Sequence, residues 1–95
     1  MFNVYVLRLK DGSIYIGLTA NLDKRLRVHF HGGGAQATRK FGVDRVEKII
    51  PVMSEAEGKA LEKQLVIQYQ ENSGVPCVYG AGYTNTKTPF RATRG

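Results

Sequence analysis

A chain of 95 residues with 42 % apolar content makes one small domain, able to bury roughly two thirds of its extended surface, and this composition excludes a disordered chain. A single cysteine, Cys77, excludes an internal disulfide and favours a reducing, cytoplasmic setting; no apolar run approaches the ~18 residues of a membrane span, and Met1-Phe2 leads straight into a strand with no signal peptide visible. The net charge of +6 on so small a domain points to a polyanionic partner, nucleic acid ahead of a membrane surface.

The first predicted element is a β-hairpin. Residues Asn3 to Leu9 and Ser13 to Leu18 are apolar, β-branched or aromatic runs on either side of an Asp11-Gly12 turn signal. Side chains alternate with period two, so the loop length decides which residues share a face. A three-residue loop, Lys10-Asp11-Gly12 with Gly12 left-handed, sets Leu9 opposite Ser13, Leu7 opposite Tyr15 and Tyr5 opposite Gly17. Both tyrosines then lie on one face, and Gly17 is expected to leave an open space beside the Tyr5 ring that would suit a pocket.

From Asn21 the period becomes helical. Asn21 is the predicted N-cap, Asp23 favours the first turn, and Leu22, Leu26 and Phe30 form the expected core stripe. Gly32, Gly33 and Gly34 end this helix in a flexible segment. Ala35 to Val43 reads as either a short helix or a loop, and Asp44 to Met53 as a third strand. Ser54 with Glu57 forms a capping box for a second long helix, whose buried stripe is Leu61, Leu65 and Tyr69. Glu62 borders that stripe and can face inward. Val75 to Tyr79 offers one more short strand. The expected architecture is a three-stranded sheet flanked by helices, with a domain over 1–83 and a basic tail over 84–95 that is mobile or orders on a phosphate backbone.

Phosphodiester cleavage needs a group that activates water, a cation for the phosphate and commonly a carboxylate-held metal. Tyr5, Tyr15, Arg25, His29 and Glu62 supply those types from two strands and two helices expected to share one core. Arg25 and His29, four residues apart, share a helix face. Each residue alone has an ordinary structural reading: strand tyrosines pack, helical cations are solvated, and Glu62 can pair with Lys59. From the residues alone, the reading stops at a basic α/β domain.

The ordered set goes further. Val4-Tyr5-Val6-Leu7, a turn, Tyr15-Ile16-Gly17, a helix carrying Arg25 and His29, and a later helix carrying Glu62 together resemble the small single-domain members of the GIY-YIG nuclease family. Tyr5 to Tyr15 and Tyr15 to Arg25 are both ten-residue steps, and the likeness runs from about Val4 to Tyr69. Asn3 and Val4 stand where the family's first motif has glycine and isoleucine. Asn72 is too near Glu62 to match the family's later asparagine, and is not assigned to the site.

The resemblance implies an α+β fold with a three-stranded antiparallel sheet, and a divalent-metal-dependent endonuclease. On that pattern Tyr5 activates water, Tyr15 positions phosphate or water, and Arg25 stabilises charge on the phosphate. His29 hydrogen-bonds in the site or assists proton transfer, and Glu62 binds one Mg²⁺ or Mn²⁺ ion. Lys24, Arg27, Arg39 and Lys40 are the expected phosphate contacts, giving salt-sensitive binding. The expected substrate is DNA, including branched, damaged or single-stranded forms; with no recognition domain, specificity falls to the tail, a second copy or a partner protein. A non-catalytic nucleic-acid-binding module of the same fold is the main alternative, and a protein- or membrane-surface module the third.

Overall fold

A computed structural model describes residues 1–32, 36–72 and 74–80. Its elements in chain order are β1 (Phe2–Leu9), β2 (Ile14–Thr19), α1 (Leu22–Phe30), α2 (Gln36–Phe41), β3 (Val43–Val52), α3 (Glu55–Gln70) and β4 (Val78–Gly80). The predicted tail over 84–95 and the last residues of the predicted domain lie outside the described residues, as do Gly33 and Gly34.

The hairpin loop sets the phase of everything above it. Leu9 N–H donates to Ser13 O at 2.8 Å, Gly12 N–H donates to Leu9 O at 2.9 Å, and Gly12 has φ +92°. Asp11 closes the turn by accepting from both the N–H and the hydroxyl of Ser13, each at 2.9 Å. The register is therefore Tyr5 opposite Gly17 and Leu7 opposite Tyr15, as the three-residue loop predicts.

β3 pairs antiparallel with the other edge of β1, which gives the expected three antiparallel strands. A fourth short strand extends them. β4 lies parallel to β2 with Tyr15 opposite Tyr79, and the sheet order is β3-β1-β2-β4.

The sheet carries a core on each face, where the sequence suggested a single shared one. Val4, Val6, Ile14 and Ile16 point to the face covered by α3, where Leu65 and Val66 meet them. Tyr5, Leu7, Leu9, Tyr15 and Val43 point to the other face, where Leu22 and Leu26 of α1 and Phe41 of α2 pack. Strand alternation produces this division, because a strand buried on both faces sends odd and even residues into different cores.

Both long helices start where the caps predict. Asn21 Oδ1 accepts from Lys24 N–H at 3.2 Å, and Ser54 Oγ accepts from Glu57 N–H at 3.2 Å. Glu57 returns its carboxylate to the N–H of Met53 at 3.0 Å, one residue before the cap. The buried stripe of α1 departs from expectation at its end. Phe30 is 48 % exposed, and His29 is the third buried position, at 2 %. Leu22, Leu26 and His29 follow an i, i+4, i+7 stripe as well as Leu22, Leu26 and Phe30 follow i, i+4, i+8. Polar partners waiting for the imaidazole ring's two nitrogens decide between them. Among the described residues, no helix is long and apolar enough to cross a membrane.

Candidate active site

The site begins at a glycine. A Cβ built at Gly17 would fall within contact distance of Cζ and Oη of Tyr5, so the Tyr5 ring lies across the glycine. The space expected to be open beside the ring is the space the ring occupies, and Tyr5 is only 2 % exposed. Close approach of this kind is what a strand glycine opposite an aromatic residue permits. Tyr15, at 9 % exposure, packs against Tyr5 with ring centroids 6.2 Å apart.

His29 completes an aromatic triangle, its ring centroid 5.6 Å from Tyr5 and 5.2 Å from Tyr15. The Tyr5 hydroxyl and His29 Nε2 are hydrogen-bonded at 3.0 Å. His29 Nδ1 is hydrogen-bonded to Thr38 Oγ1, also at 3.0 Å. The chain Tyr5–His29–Thr38 thus links β1, α1 and α2 through side chains that are all buried. Satisfying both ring nitrogens is what makes a buried histidine tolerable.

Burial dominates the electrostatics. It pushes the Tyr5 phenol far above its ordinary value; Tyr15 adds to the shift, and Arg25 opposes it. The Tyr15 phenol is raised for the same first reason, with the Glu62 carboxylate next and Arg25 opposing. His29 is shifted down, by burial and then by the Arg25 cation, so its imidazole is biased toward the neutral form. One cation on α1 therefore acts on all three rings, as the four-residue step from Arg25 to His29 suggests.

Glu62 reaches the tyrosines from another direction. It is 5 % exposed on α3, the helix that covers the opposite face, and its charge is felt at both phenols. Gly58, one turn earlier, lets α3 approach the sheet: a Cβ there would collide with Leu18 Cδ1. Among the described residues no group of three or more His, Cys, Asp and Glu side chains gathers as a metal cage. Glu62 is the carboxylate that would hold a Mg²⁺ ion here, since that ion is commonly bound through only one or two protein carboxylates and keeps several waters.

Lys24 and Arg25, with Asn21 and Val28, line a concavity of about 330 Å³ on α1. Arg27 on α1 and Arg39 and Lys40 on α2 are exposed, and Lys40 Nζ lies 5.4 Å from the Phe41 ring centroid. Asn72, left outside the site, is used locally: its Oδ1 accepts from Gly74 N–H at 2.9 Å. Thr38 is the residue of this cluster that sequence reasoning missed. It lies in a short segment without a clear period, and only the fold brings it to His29.

The GIY-YIG catalytic domain family model matches residues 1–74. Among curated relatives, the UPF0213 protein of Halalkalibacterium halodurans is 32 % identical over 84 residues, covering 87 % of this chain and 89 % of that protein. The UPF0213 protein of Oceanobacillus iheyensis is 41 % identical over 78 residues, covering 72 % and 91 % respectively. The UPF0213 protein of Clostridium perfringens is 51 % identical over a shorter stretch of 39 residues, 41 % of this chain and 42 % of that protein. No solved structure matches the chain.

Proposed function

The chain belongs to the GIY-YIG family, whose catalytic domain points to nuclease chemistry, and on that premise we propose that it is a metal-dependent endonuclease hydrolysing phosphodiester bonds in DNA. The observation that carries this reading is the hydrogen bond between the Tyr5 hydroxyl and His29 Nε2, set beside Tyr15 and under the influence of Arg25 and Glu62.

A phenol raised this far is a poor base by itself. The link to His29 removes that obstacle. As the attacking water gives a proton to the Tyr5 oxygen, the hydroxyl proton of Tyr5 passes to His29 Nε2, and no free phenolate has to form. The depressed pKa of His29 keeps the ring neutral and able to accept at pH 7. Tyr15 orients the water or a phosphate oxygen, and Arg25 balances the charge that develops on the phosphate. A phosphate at Arg25 also offsets that cation's opposition to a charged imidazole.

Glu62 is the residue that would hold a single Mg²⁺ or Mn²⁺ ion, which when bound neutralises phosphate charge. Lys24, Arg27, Arg39 and Lys40 take backbone phosphates, in keeping with the net charge of +6. Positioning contacts of this kind carry no sequence information, so preference among DNA structures falls to a second copy, a partner protein or the tail. The lone Cys77 supports a reducing, cytoplasmic setting.

The test is cleavage of supercoiled, branched and single-stranded DNA with Mg²⁺, Mn²⁺ or EDTA. Metal-dependent cleavage of any of them supports the proposal. Salt-dependent binding without cleavage of any would instead fit a binding module, a role that the near-complete enclosure of Tyr5 would suit.

A further inference from the structure

The two ends of His29 are not equivalent, and the residue at the far end has no role in the mechanism above. Thr38 is 1 % exposed on α2, nine residues from His29 in sequence, and its hydroxyl lies 3.0 Å from His29 Nδ1. A neutral imidazole carries one proton, and the hydrogen bond at one nitrogen decides what the other can do. A phenol is a far stronger hydrogen-bond donor than an aliphatic alcohol, so of the two partners the Tyr5 hydroxyl is the one suited to give its proton to the ring and the Thr38 oxygen the one suited to accept from it.

We propose that Thr38 is a positioning residue: its Oγ1 accepts a hydrogen bond from His29 Nδ1–H and so holds Nε2 unprotonated toward the Tyr5 hydroxyl. Its catalytic consequence rests on the nuclease reading; the tautomer does not. In the opposite tautomer Nε2–H would donate to the Tyr5 oxygen, and the ring could not take the phenol's proton. The same contact fixes the tilt of the imidazole between the two tyrosines, whose ring planes it meets at 53° each. α2 is thereby part of the site, and its task is to present one hydroxyl.

The chain has two histidines, so the untagged full-length His31→Gln protein carries His29 as its sole imidazole. In this background, ¹⁵N-labelled protein is compared at neutral pH with Thr38→Val, which keeps the shape and deletes the hydroxyl, and with Thr38→Ser, which keeps the hydroxyl. Each variant is first shown folded by its thermal melt. Imidazole ¹⁵N spectra read which nitrogen carries the proton. The expected wild-type spectrum has Nδ1 protonated and Nε2 bare; Thr38→Val loses that single tautomer and Thr38→Ser restores it. DNA nicking should fall on the order of tenfold to a hundredfold in Thr38→Val, with recovery in Thr38→Ser. A wild-type spectrum with Nε2 protonated overturns the proposal whatever the variants do, as does a Thr38→Val spectrum identical to wild type. The expected spectra in a protein that cleaves no DNA would support the tautomer assignment and reject the nuclease reading.

Discussion

The Tyr5 ring lies across the backbone of Gly17, so two residues paired in register on adjacent strands share the volume of one side chain. This places the Tyr5 hydroxyl at His29 rather than in solvent. A Gly17→Ala methyl group would enter the volume of the ring and push it aside. Such overpacking costs about 1–3 kcal/mol of stability. DNA nicking should be lost even at temperatures where the variant's melting curve shows it fully folded, because the Tyr5–His29 bond cannot form.

The pH dependence follows from two buried groups with opposite shifts. His29 has its folded pKa lowered below about 6.5, so the unfolded chain binds more protons between the folded value and ~6.5. Its contribution to stability is therefore full above ~6.5 and declines as pH falls toward the folded value. Tyr5 has its folded pKa raised, so the unfolded phenol ionises first and stability falls as pH rises above ~10. Thermal melts across pH should show both limbs. Nicking should decline on the acid side with an apparent pKa below ~6.5, and His29→Gln should abolish that limb along with most of the activity.

Arg8 and Glu47 join β1 to β3 away from the site. The guanidinium makes a two-point contact, Nε to Oε1 at 3.3 Å and Nη2 to Oε2 at 3.0 Å, with the side chains 20 % and 22 % exposed. The Arg8 guanidinium holds the Glu47 carboxyl below the usual range. A double-mutant cycle through Arg8→Ala and Glu47→Ala should give a coupling of about 1 kcal/mol by denaturant unfolding. Nicking by the folded variants should stay at the wild-type level.

On the proposed nuclease reading, substitutions of Lys24 and Arg25 separate binding from chemistry. Lys24→Gln should weaken DNA binding without regard to sequence and reduce the slope of log affinity against log salt by about 1. Arg25→Gln should do the same and, in addition, lower the nicking rate of bound DNA, since this cation acts on both tyrosines and on His29. Fluorescence titrations at several salt concentrations, paired with single-turnover nicking, distinguish the two effects.

How far the sequence reveals this arrangement differs from element to element. The hairpin register is legible because a three-residue loop ending in a left-handed glycine leaves one phase for Tyr5 and Tyr15. The caps at Asn21 and Ser54 are legible because few residue types satisfy exposed helix N–H groups. The burial of His29 in place of Phe30 is not, because hydropathy ranks the phenyl ring above the imidazole. Only the folded chain supplies a phenol and a hydroxyl at the two ring nitrogens. The division into two cores is hidden for a related reason. Periodicity shows which residues share a face of one strand, while the face that α3 covers is set by its path after β3. The burial of Glu62 is consistent with its place at the border of an apolar stripe, from which it can face inward.

Glu62 is a buried carboxylate on the helix opposite the aromatic triangle, and the proposed metal dependence rests on it. The most direct test is nicking of supercoiled plasmid at low salt by wild type and Glu62→Ala, each shown folded by circular dichroism, with Mg²⁺, Mn²⁺ or EDTA. The proposed metal role of Glu62 predicts metal-dependent nicking by wild type, its loss in Glu62→Ala, and DNA binding retained by both. Equal nicking by the two proteins would contradict it.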